Sequence, residues 1–180
     1  MKTISTISNL LFGERKSNSF ASIGLLIVRL IAGFGLIMHG LPKLATPMSF
    51  AGDAFPGILQ LLAVISEFGG GIALILGIFV PLASLGATIT MFVGIAFMHI
   101  PFKDPIYRIT VKYSFEGDGD PFFGFPLWLA KADGHSAAGS GSAELALLYL
   151  IIALCLFFVG GGKYSLDHYL KHKILKQTTL

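Results

Sequence analysis

Charge is scarce in this chain. Asp, Glu, Lys and Arg make up only 13% of its 180 residues, while 54% are hydrophobic. An ordinary soluble domain carries about 25% charged residues. So little charge leaves too few groups to face water all round, and lipid is the expected solvent. Cysteine is scarcer still, with Cys155 alone. That excludes an internal disulfide, thiol exchange through a C-x-x-C pair and a multi-cysteine zinc site. At its place in the last apolar stretch Cys155 is expected to be a packing residue. Gly162-Lys163 lacks the spacing of a phosphate loop. The net charge of +3 is modest and lies largely in the tails. It reads as topology and headgroup contact, with no nucleic-acid partner.

What is present is a set of apolar runs. A bilayer core of about 30 Å needs about 20 apolar residues as helix. Four spans are predicted, at 22–41, 57–79, 82–100 and 143–159. The first is read as a retained helix, because Arg29 interrupts it and no small-x-small cleavage site follows. Pro81 is expected to divide the second span from the third, in a turn without charge. The expected fold is an all-α integral membrane protein. It is a four-transmembrane-helix bundle with a long strand-containing outer loop between helices 3 and 4. Residues 1–21 form an N-terminal tail, 22–160 the membrane domain with its outer loop at 101–142, and 161–180 an amphipathic C-terminal tail.

Orientation follows Lys and Arg. The tails hold seven of these residues and the opposite side five. Both termini are therefore expected on the cytoplasmic side. In the outer loop, Tyr107, Ile109, Val111, Tyr113 and Phe115 alternate with polar residues. That period of two marks a half-buried strand, whose partner would lie in the loop, in a second copy or in another protein. In the tail, Ser165 is expected to cap a short helix with Asp167 in its first turn. Leu166, Leu170 and Ile174 then share one face, as suits the membrane surface.

Ionisable groups inside a bilayer are costly and face the protein interior. Arg29 and Glu67 fall within antiparallel neighbouring spans, and they are expected to form an intramembrane pair. Such a pair either fixes packing or takes part in proton or solute movement. Arg29, Gly33, Leu36, Gly40 and Lys43 share one helical face, with glycines that admit a second helix. His39, Lys43, His99 and Glu144 lie near span ends and form a candidate pocket. Three readings fit it. They are helix-end polar groups with no further role, a quinone site in which histidine and carboxylate handle protons, or metal or haem ligation by His39 and His99.

Arg29, His39-Gly40 and Lys43, then Glu67 with the glycines after it, resemble the signature of the DoxX family. Gly162-Lys163-Tyr164-Ser165-Leu166-Asp167 is similar to the family's Gly-(Arg/Lys)-x-Ser-Leu-Asp ending. The resemblance covers roughly 22–100 and 139–170, with a longer insertion at 101–135 than the family pattern. It implies a small four-helix protein of the bacterial inner membrane, a component of a quinone-linked or oxidative- or thiol-stress redox system. An oxidoreductase partner and non-covalent quinone are implied; no catalytic residue is. Two other functions fit the residues: a scaffold recruiting a redox enzyme or second copy through loop 101–142, and an oligomeric transporter or channel for a small solute.

Overall fold

In the first apolar run Arg29 and several small residues are buried, and most of the large apolar residues face outward. In the computed structural model α1 spans Ser19–Gly40, with Ser22, Arg29, Ala32, Gly33, Leu36 and Gly40 buried. Phe20, Ile27, Ile31, Phe34 and Met38 are exposed. This reversal of a soluble helix is what lipid as solvent requires, since tails accept Ile and Phe and reject Arg. The structure describes residues 18–109, 126–132 and 141–178.

The Asn18 side chain caps α1, accepting from Ala21 N at 2.7 Å, and a 3-10 turn, Pro42–Ala45, follows. α2 spans Gly57–Leu76 and α3 Val80–His99. With α1 they are, among the described residues, the three helices long and apolar enough to cross a membrane. α4, Glu144–Val159, is apolar but has only 16 residues, about 24 Å of rise. α5 spans Leu166–Thr178. Both α2 and α3 contain a π-helical turn, at Ile65–Gly69 and Ile95–His99.

The chain divides into two units, one of residues 1–90 and 151–180, the other of 91–150. In the first, α1 and α2 touch backbone to backbone. A Cβ on Gly33 would lie 2.7 Å from the Gly71 carbonyl oxygen, and one on Gly71 2.6 Å from that of Gly33. Gly40 meets Phe68 and Glu67 in the same way. The glycine face expected on the first span is therefore the α1–α2 contact. Gly86 of α3 leaves room for the Ser66 hydroxyl. The loop between α1 and α2 is tied down by buried Gln60, which accepts from Ala51 N and donates to the carbonyls of Gly52 and Phe55, each at 2.8 Å.

The break between α2 and α3 differs from expectation. The chain reverses at Gly77 and Phe79, with φ of 69° and 48°, while Pro81 lies inside the first turn of α3. Proline suits that position because it has no N–H to leave unbonded.

In the second unit, strands β1 (Tyr107–Ile109) and β2 (Ala130–Ala132) pair in parallel, Tyr107 opposite Ala130. Tyr107–Ile109 are the first three residues of the alternation from which a strand is expected. Its continuation through Phe115 lies outside the described residues. Beside it the Ala143 N–H donates to the Pro105 carbonyl at 3.0 Å. Phe102, Tyr107, Leu127 and Trp128 are exposed.

Candidate functional site

Two clusters of charge are built into the first unit, and each takes a partner that the sequence reading did not assign. The expected Arg29–Glu67 pair does not form. Gly40 faces Glu67 across the α1–α2 contact. Arg29 stands eleven residues earlier on α1, roughly 16 Å along the axis. The depths do not match, and each group bonds at its own level.

Glu67 bonds Lys43. The Lys43 Nζ lies 2.7 Å from Oε1 and 2.5 Å from Oε2 of Glu67. The Glu67 side chain is 4% exposed and that of Lys43 26%. Lys43 comes from the 3-10 turn after α1, which carries it over the end of the helix and across to α2. Its ammonium lies 4.9 Å from the ring centre of Phe50, within range for a cation–π contact. Glu67 stands at the middle of the π turn of α2. Such a turn inserts a residue and re-aims the side chains around it.

Arg29 bonds backbone instead. Its guanidinium donates to the carbonyls of Gly161 and Tyr164, the latter at 2.8 Å. Gly77 and Gly161 leave it the space, since a Cβ on either would press on its Nη1. The chain after α4 is bound further where Lys163 N donates to Ser22 Oγ at 3.2 Å. Asp167 completes this cluster. Its carboxylate accepts from Phe79 N at 2.7 Å and Val80 N at 2.9 Å, and its own N–H donates to the Gly77 carbonyl at 2.9 Å. The first amides of a helix lack intrahelical partners. Asp167 fills that need for α3 from a helix distant in sequence, and Pro81 has no amide to fill. Burial pushes the Asp167 carboxyl above its ordinary range, against the pull of the Val80 and Phe79 amides and of Arg29. The turn expected to lack charge thus receives one from the tail. Ser165 does cap α5, its hydroxyl accepting from His168 N at 3.2 Å.

The other expected residues are placed as follows. His39 is exposed in the last turn of α1. In the second unit, His99 ends the π turn of α3 and its Nδ1 lies 3.0 Å from Asp104 Oδ2. Glu144 is the first residue of α4. Among the described residues, no three His, Cys, Asp or Glu side chains gather as a metal site. Cys155 is exposed, contrary to the packing role expected of it. Ala153 and Leu156 are the buried positions of α4. Asp167 and Gln60 were missed as site-building residues. The signal for Gln60 was a lone polar side chain between apolar neighbours, which only a buried partner can satisfy; Asp167, between Leu166 and His168, carried no such signal.

Comparison with known proteins bears on the same region. Residues 24–100 match the DoxX family model. A protein of Haemophilus influenzae, described as uncharacterized, is 29% identical over 147 residues, covering 80% of this chain and 88% of that relative. No solved structure matches.

Proposed function

We propose, for a chain that belongs over residues 24–100 to the DoxX family of membrane proteins, a role as the membrane component of a quinone-linked redox system. The observation that carries this reading is the Lys43–Glu67 pair beside Phe50. Reducing a quinone adds two electrons and two protons. Its carbonyl oxygens need a donor as charge develops on them, and its ring favours an apolar, aromatic wall. Lys43 is a donor with access to the outside. Glu67 is a carboxylate able to exchange the proton. Phe50 offers the ring face. In this reading the electrons come from a partner enzyme. α4 is a fourth crossing, and both termini face the cytoplasm of a bacterium, as the Lys and Arg distribution favours.

The test is binding by linkage. A ligand that binds only the folded protein raises its unfolding temperature. Benzoquinone and naphthoquinone analogues are added to the intact protein in mild detergent. A raised midpoint is expected for the wild type and none for Lys43→Met/Glu67→Gln. An unmoved wild-type midpoint with both quinone classes would sink the reading.

A second reading, the scaffold, is favoured by the exposed Phe102, Tyr107, Leu127 and Trp128 around the short sheet of the second unit. Large exposed apolar groups and a sheet edge are the usual means of capturing a partner or an interface. Tyr107→Ser/Trp128→Ser would then strip a co-purifying protein from a chain that remains folded.

A further inference from the structure

α5 carries two imidazoles that the redox reading does not use. His168 and His172 are four residues apart, so they lie one turn above the other on a single helix face. Their ring centroids are 4.4 Å apart, with the planes at 68°. His168 is partly exposed and His172 exposed. The turn beneath them is held in place by the Ser165 cap on His168 N and by the Asp167 bonds to the start of α3.

We propose that His168 and His172 form a surface site for a borderline divalent transition-metal ion, of the class of Zn2+, Ni2+ and Cu2+, with water in the remaining positions. Two imidazoles bound to one ion at about 2.0–2.1 Å put their ring centres about 5 Å apart. The observed separation is about half an ångström short of that, a change that small side-chain rotations supply. Imidazole nitrogen suits these metals, whereas calcium and magnesium call for oxygen. Paired histidines at this spacing are also how a helix presents two ligands to zinc. Here the protein supplies two ligands rather than three, in keeping with the lack of a larger cluster among the described residues. The site is therefore open and exchangeable. Lys171, three residues beyond His168, shares the face and opposes a cation. Its long stem lets the ammonium swing into water, so it lowers affinity without blocking the site.

The experiment uses the full chain without a polyhistidine tag, in mild detergent, titrated calorimetrically with Ni2+ and Zn2+. One ion per chain is expected. His172→Ala, a change at an exposed position, weakens binding by at least about tenfold. Lys171→Met strengthens it, which a site elsewhere on the protein would not do. His99→Ala leaves it unchanged. With Cu2+, paramagnetic resonance shows coupling to two imidazole nitrogens in the wild type and to one in His168→Gln. Unchanged affinity in His172→Ala, or no binding up to about 1 mM metal, overturns the proposal.

Discussion

The Arg29–Asp167 cluster and the Lys43–Glu67 pair solve the same problem in opposite ways. Each holds a positive and a negative group out of water. In the first, both side chains hydrogen-bond backbone, and their attraction for one another only adds to those bonds. The two Nη groups of Arg29 donate to carbonyls, its buried Nε has no partner among the described residues, and Asp167 accepts from two amides. Backbone partners are fixed by the fold, so this cluster is a clasp. It fastens α1, the α2–α3 turn and the chain after α4. In the second, the groups bond side chain to side chain, and one of them reaches the outside. Such a pair opens by rotating one lysine. The contrast separates a charge that builds the protein from a charge available to a ligand.

The largest expected effect tests the clasp. Asp167→Ala leaves two helix-starting amides without acceptors. It also removes the carboxylate bond to the Phe79 amide, at a residue held in a left-handed conformation. One buried unsatisfied group costs about 1–3 kcal/mol, so a loss of roughly 2–5 kcal/mol is expected, read by thermal or denaturant unfolding in detergent. Ser165→Ala, which removes only the α5 cap, should cost about 1 kcal/mol. Equal losses from the two variants would mean that Asp167 acts merely as part of α5.

Next in size is the α1–α2 contact that joins the two clusters. Gly33→Ala and Gly71→Ala each drive a Cβ against a carbonyl oxygen, and the helices must part. Overpacking of this kind costs about 1–3 kcal/mol. The double variant should cost less than the sum, because one separation relieves both contacts. A simple sum, measured in the same melts, would show that the glycines act independently.

The sequence made the architecture legible and the partners illegible, for a physical reason. Apolar runs and the face shared by Arg29, Gly33, Leu36 and Gly40 depend on local periodicity, and they appear where expected. Choosing a partner for a charge depends on relative heights between helices. Counting residues along ideal helices put Arg29 and Glu67 level. The glycine contact sets Glu67 opposite Gly40 instead, and the 3-10 turn brings Lys43 back to it. No local pattern encodes a carboxylate that caps a helix 87 residues away, so Asp167 read as a first-turn acid of its own helix. Cys155 looked like a core residue because an all-apolar helix has no periodicity to say which side faces lipid.

The Lys43–Glu67 pair carries the sharpest form of the contrast, and its Glu67→Gln and double variants have the smallest stability effects expected. Lys43→Met leaves the Glu67 carboxylate buried without a counter-charge, and a loss of about 1–3 kcal/mol is expected. Glu67→Gln is milder, below about 1 kcal/mol. The amide oxygen still accepts from Lys43, which is partly exposed. Lys43→Met/Glu67→Gln removes both charges and should recover most of the loss, since replacing a buried pair outright is far less costly than halving it. Stability is thereby restored while donor and carboxylate are both gone. If quinone binding returns along with stability, the pair is a second structural clasp and the comparison fails. If stability returns and binding does not, these two side chains belong to the ligand.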